Sequence, residues 1–226
     1  MIIEPRFNGP AESGNGGYTA GLVAAALDAD HVGAVVTLRV PPPLATPLQV
    51  TRADGGIRVH AGDQLVAEAA PAVLSDEPVP PVPYEDAVAA SKAYAGFADH
   101  PFPTCYVCGP QREAGDGLRI FPGALPDGRT AAPWSAPPDV SSVTVWAALD
   151  CPGGWSIIAP GRPYVLGRMT ARVDAVPAPD ARCVVVGAVA QAEGRKAQVR
   201  SALYGSDGAL LAQASSTWIA IEQPAG

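Results

Sequence analysis

Charged and aromatic side chains are scarce in this chain. Of its 226 residues only 16% are charged and 6% aromatic, with three histidines and two methionines. Bases are the rarer sign: 15 Lys and Arg stand against 22 Asp and Glu, a net charge of −7. No Lys/Arg cluster concentrates those bases. This argues against a nucleic-acid backbone binder, because such binding rests on neutralising phosphates. Long apolar runs are missing too. No window nears the ~20 apolar residues of a membrane span, and the longest, 18–27, is interrupted by Thr19 and Gly21. Met1-Ile2-Ile3-Glu4-Pro5-Arg6 has no basic start leading into an apolar run, so no signal peptide is expected. Four cysteines are too few for a disulfide scaffold. Also absent are an Asp-x4-His pair, a Gly-x-Ser-x-Gly elbow, a Walker loop and a dinucleotide fingerprint, which removes the enzyme classes built on them. What is plentiful is apolar: 48% of residues, enough to bury the core of one large domain or two fused small ones. The expectation is a soluble, cytoplasmic, acidic globular protein with no nucleic-acid or membrane partner.

The chain repeats itself. Gly16-Gly17-Tyr18 returns as Gly153-Gly154-Trp155, Thr37-Leu38-Arg39-Val40 as Thr170-Ala171-Arg172-Val173, and Leu65-Val66-Ala67-Glu68-Ala69 as Leu210-Leu211-Ala212-Gln213-Ala214. The matches keep their order at offsets of about 140 residues, as two copies of one unit would. The division expected is 1–75, a connecting segment 76–115, and 116–226. In the first copy, 17–27 carries small and apolar residues on every face, which predicts a helix wrapped by other structure. Strands are predicted over 35–40, 48–52, 57–60 and 64–73, with Asp54-Gly55-Gly56 as a hairpin turn. The second copy predicts a short helix after Gly153-Gly154, stopped by Pro160, then strands near 165–173, 183–190, 197–204 and 210–221. Between the copies, Pro78, Pro80, Pro81 and Pro83 mark an extended stretch and 84–94 a helix. The Pro/Cys/Gly-rich loop 100–116 should be ordered, anchored by Phe97, Phe102 and Tyr106.

Several motifs are distinctive: Phe7-Asn8-Gly9-Pro10, Ser13-Gly14-Asn15-Gly16-Gly17-Tyr18, Phe102-Pro103-Thr104-Cys105-Tyr106-Val107-Cys108-Gly109-Pro110, Gly115-Asp116-Gly117-Leu118-Arg119-Ile120-Phe121-Pro122 and Ala148-Leu149-Asp150-Cys151-Pro152-Gly153-Gly154-Trp155. Together with the doubled helix-and-sheet order, they resemble the double-hotdog thioesterase-like proteins of actinobacterial type. That resemblance implies an α+β fold, a double hotdog in which two copies of a buried central helix are wrapped by an antiparallel β-sheet. It also implies helices lying side by side, active sites between the halves, and acyl-CoA as substrate without a further cofactor.

The strongest candidate site is Asn8 with Ser13-Gly14-Asn15-Gly16-Gly17. Two glycines opening a buried helix leave free N–H groups and no Cβ to hold a ligand away, so a thioester carbonyl could dock on Asn15, Gly16 and Gly17. An N-cap and turn would use the same residues without any ligand. Phenylacetyl-CoA-type hotdog thioesterases carry His-Gly-Gly here, with a carboxylate nine residues on. In this chain Asn15 stands at the His position and Ala24 at the acid's, and Asp28 lies beyond, toward the helix end. The replacement acid expected is Asp150, as base or nucleophile, with Glu12 a weaker rival and an N-cap over 152–159 the plain structural alternative. Tyr18, Trp155, Phe7 and Trp146 could line an acyl tunnel, with Gly153 and Gly154 beside it. Arg119, Arg195 and Lys196 are the cations best suited to coenzyme A phosphates. Cys105-x2-Cys108 is a lone pair of thiols, and a zinc site would need His100 and Cys151 as well. No metal is expected on that ground. Two functions remain open: hydrolysis of acyl-CoA thioesters, or non-catalytic binding of acyl-CoA or another apolar small molecule. Homo-oligomerisation is open too.

Overall fold

Alternation of apolar and polar residues sets most of the sheet. Ile57 and Val59 are buried while Arg58 between them is exposed, and Ala197 and Val199 flank an exposed Gln198 in the same way. The computed structural model describes residues 1–27, 33–53 and 55–222, so Asp28 and Asp54 lie outside the described residues. Strands form at β1 (Ala34–Leu38), β2 (Gln49–Ala53), β3 (Gly56–Ala61), β4 (Gln64–Pro71), β5 (Gly123–Ala124), β6 (Thr130–Ser135), β7 (Tyr164–Val173), β8 (Arg182–Glu193), β9 (Lys196–Gly205) and β10 (Leu210–Ala220). All pair antiparallel in one ten-stranded sheet of order β2-β3-β4-β1-β7-β10-β9-β8-β6-β5. Eight of the ten, β2-β3-β4-β1 and β7-β10-β9-β8, are arranged symmetrically about the β1–β7 seam, where Ala34 faces Ala171 and Thr37 faces Arg168. β5 and β6 extend the second half and were not foreseen. Pro133 interrupts the strand pattern of β6, and it is tolerated where only the two residues of β5 cover the outer side.

Helix α1 (Gly16–Ala25) has no charged residue and buries Gly17, Thr19, Ala20, Gly21 and Val23. It packs along α3 (Ser142–Ala148), and two glycines set the distance. A Cβ on Gly21 would lie 2.9 Å from Trp146 Cβ, and one on Gly17 would lie 2.5 Å from Asp150 Cβ and 2.8 Å from the Trp146 carbonyl oxygen. The second helix is not where the repeat put it. α3 and the short α4 (Asp150–Gly154) precede and include the glycine pair instead of following it. A capping box explains the start, with Ser141 and Thr144 exchanging side-chain and backbone hydrogen bonds. Gly153 and Gly154 close α4 and let it approach the sheet, where Val199 and Trp218 occupy the space of their missing side chains.

The connecting segment is ordered. Helix α2 (Tyr84–Ser91) covers a smaller core of Val79, Val82, Ala87, Ala131, Val184 and Val186. The Tyr94 hydroxyl donates to the Cys108 carbonyl at 3.1 Å, and Tyr106 and Phe102 pack into the main core. Phe97 departs from its expected role as an anchor, since 52% of it is exposed and it only edges onto Tyr94 and Phe121. Among the described residues no helix is long and apolar enough to cross a membrane.

Candidate active site

Asn15 serves two helices at once. Its Oδ1 accepts the Tyr18 N–H at 2.8 Å, which caps α1, while its Nδ2 donates to Asp150 Oδ2 at 3.0 Å. The Gly17 N–H donates to the same carboxylate oxygen, also at 3.0 Å. The capping reading of Asn15 therefore holds at one end of its amide, while the other end, expected to face a thioester carbonyl, is bonded to Asp150.

Asp150 opens α4 but does not cap it. Its side chain crosses to the N-terminus of α1, where unsatisfied N–H groups and the helix dipole favour negative charge. The residue is 2% exposed, and its second oxygen, Oδ1, has no hydrogen-bond partner among the described residues. Burial pushes its carboxyl up to about 7, against the lowering effect of the Gly17 N–H; nearby Cys105 raises it further and the Asn15 amide lowers it.

Asn15, Asp150 and Cys105, but not Gly17, border a cavity of about 480 Å³ between the two halves and the connecting loop. Its walls are mostly apolar: Leu38 and Val40 from the first half, Trp155, Leu166 and Trp218 from the second, and Phe102 from the loop. Gly16 borders it at the first position of α1, where helix geometry leaves the N–H without an intrahelical acceptor. Glu12 lines the cavity as well, on an exposed stretch.

Other expected residues fall elsewhere. Asn8 is buried but locks the loop, donating to Thr104 Oγ1 at 3.1 Å and accepting from Arg112. Tyr18 stacks on Phe7 at 3.9 Å, and neither borders the cavity. Gly153 and Gly154 are packing positions against the sheet, while Trp155 does line the wall. Arg119 donates to the Arg112 carbonyl and lies over Phe121, Arg195 binds the Ala220 carbonyl, and Lys196 is exposed on β9. None of the three borders the cavity.

One feature escaped the sequence reading, and a second was named there and discounted. Arg39 borders the cavity and also a shallower cleft of about 270 Å³ shared with Arg58 and Arg168. Glu68 takes hydrogen bonds from Arg39, including Nε at 2.9 Å, and pairs with Arg58 at 3.4 Å. The second feature is a thiol cluster. Cys105, Cys108 and Cys151 are buried beside the cavity with their sulfurs within 4.8 Å of one another. S–H groups of Cys108 and Cys151 pull the Cys105 thiol down, whereas burial pushes Cys108 and Cys151 up. Nothing in the spacing joins Cys151 to a pair more than 40 residues earlier; only the packing of α4 on the loop does.

Neither a protein-family model nor a curated protein matches the sequence. Solved structures do resemble it. A tesB protein of Mycobacterium avium subs paratuberculosis aligns with a TM-score of 0.60 at 12% identity, over 97% of this chain and 91% of that one. An acyl-CoA thioesterase II of Mycobacterium marinum aligns at 0.55 and 12%, over 95% and 92%. A conserved protein of unknown function with a hot dog fold, from Alicyclobacillus acidocaldarius, aligns at 0.55 and 10%, over 97% and 91%. At such identities the likeness is one of architecture: the chain has the double-hotdog fold.

Proposed function

Starting from the double-hotdog fold and a carboxylate held at its central helix, we propose that this chain hydrolyses acyl-CoA thioesters in the cavity between its halves, with Asp150 as general base. The observation that carries this reading is the division of labour within one carboxylate. Oδ2 is fixed by Asn15 and Gly17, and Oδ1 is buried, unpartnered and beside an apolar cavity. A group oriented in this way and left with a free basic oxygen is suited to taking a proton from water.

The acyl chain occupies the space walled by Trp155, Leu166 and Trp218, which places the thioester toward α1. Asp150 Oδ1 takes a proton from water as the hydroxyl oxygen bonds to the carbonyl carbon, and the carbonyl oxygen becomes an oxyanion facing the Gly16 N–H. Collapse re-forms the carbonyl, breaks the C–S bond and expels the coenzyme A thiolate, which recovers the proton from Asp150. The products are a carboxylic acid and free coenzyme A. Asn15 and Gly17, read from the sequence as oxyanion donors, are committed to Asp150, so their role here is to position it. Arg39, which borders both the cavity and the cleft it shares with Arg58 and Arg168, is a better candidate for the coenzyme A phosphates than Arg119, Arg195 or Lys196, none of which borders the cavity.

The direct test is release of free thiol from short, aromatic and long acyl-CoA substrates by the purified protein. Multiple turnovers on at least one class are expected. Tight binding of acyl-CoA with no thiol released from any class would refute hydrolysis and leave a non-catalytic binding protein.

A further inference from the structure

Three of the four cysteines converge. Cys105 and Cys108 belong to the connecting loop and Cys151 to α4, and all three are buried with their sulfurs within 4.8 Å of one another. Zn–S bonds of ~2.3 Å in a tetrahedral site put sulfurs roughly 3.8 Å apart, so small shifts bring these thiols onto one ion. The surroundings are arranged for anionic sulfur. The Phe102 N–H donates to His100 Nδ1 at 2.9 Å, which leaves the proton of the neutral ring on Nε2. That Nε2 lies 3.4 Å from Cys108 Sγ and points a donor at it, and Asn15 Nδ2 lies 3.8 Å from Cys105 Sγ.

We propose that Cys105, Cys108 and Cys151 hold one zinc ion as three thiolates, with a solvent oxygen from the cavity in the fourth position. His100 is not a ligand in this arrangement but a hydrogen-bond donor to a ligand, which fixes the sulfur and its charge. The absence of metal expected from the sequence rested on a lone Cys-x2-Cys, and the fold supplies the missing third thiol. The role proposed for the ion is structural. It ties the connecting loop to α4 at the residue next to Asp150, and so holds the carboxylate against α1. The inference rests on the thiols alone and stands whether or not the chain hydrolyses thioesters.

Full-length protein purified in reductant without chelator should carry about one zinc per chain by elemental analysis. X-ray absorption fine structure at the zinc edge should show three sulfur neighbours at ~2.3 Å and one oxygen or nitrogen. Cys151→Ser should lose the ion. Cys183→Ser should keep it, because Cys183 lies apart, its sulfur 3.8 Å from the Ala181 carbonyl. If Cys151→Ser does not fold, the unmodified protein still decides. No zinc retained after incubation with Zn²⁺ alone and dialysis overturns the site, as do fewer than three sulfur neighbours. Two free thiols in place of four in the denatured, chelated chain overturn it as well, because a disulfide would have used the ligands.

Discussion

Asp150→Asn is expected to lower kcat for acyl-CoA hydrolysis by about 10³-fold, within the range that a positioned general base contributes. KM should change little. The substitution keeps the shape of the side chain, and an amide oxygen still accepts the Gly17 N–H and the Asn15 amide at the places where Oδ2 accepts them now. What disappears is the basic oxygen, because Oδ1 becomes an NH2 group that cannot take a proton. Folding should survive, since the lost charge at the start of α1 is worth up to about 2 kcal/mol in a buried geometry, and removing a buried charge offsets part of that. A melting temperature close to that of the unmodified protein, with turnover nearly gone and acyl-CoA binding intact, is the outcome that supports catalysis. Loss of folding with no separate loss of turnover per folded molecule would assign Asp150 to holding the two helices together.

Asn15→Ser separates the two jobs of that residue. Serine is as good an N-cap as asparagine, so the hydrogen bond from the Tyr18 N–H is kept and stability should stay within about 1 kcal/mol. Its hydroxyl is too short to reach Asp150 Oδ2, and the carboxylate then keeps only the Gly17 N–H. A base free to swing by an ångström loses about 10²-fold in kcat, and that is the fall expected, with KM little affected. Asn15→Ala should show the same kinetic loss plus the missing cap, about 1 kcal/mol in urea denaturation. Equal kcat in Asn15→Ser and the unmodified protein would mean that Asn15 is a cap and nothing more.

Most strands were legible because one face lies on the core, β2 with its exposed side chains being the exception: the pattern around Ile57 and Val59 admits one register, and β1 to β4 and β7 to β10 all form close to where they were expected. α1 was legible for the opposite reason, an apolar surface all round that only a surrounding sheet can cover. The helices of the second half were misplaced because Gly153-Gly154 looks like Gly16-Gly17 in sequence but does different work. One pair opens a helix, and the other ends one against Val199 and Trp218. The pairing of Asn15 with Asp150, far apart in the chain, was reachable through the repeat and the expectation of neighbouring helices. The thiol cluster was named and then discounted, since no spacing in the chain joins Cys151 to Cys105 and Cys108 and only tertiary packing brings them together. The cations were misjudged for a similar reason: Arg119 and Arg195 spend their guanidinium groups on backbone carbonyls, which composition does not reveal.

The central claim is that a thioester sits in the cavity against Asp150, and a crystal structure of Asp150→Asn with an intact acyl-CoA tests it most directly. The expected result has the acyl chain between Trp155, Leu166 and Trp218, the carbonyl oxygen facing the Gly16 N–H, and the carbonyl carbon one water molecule away from the side chain at position 150. An acyl-CoA seated with its thioester outside this cavity, or with its carbonyl turned away from α1, would contradict it.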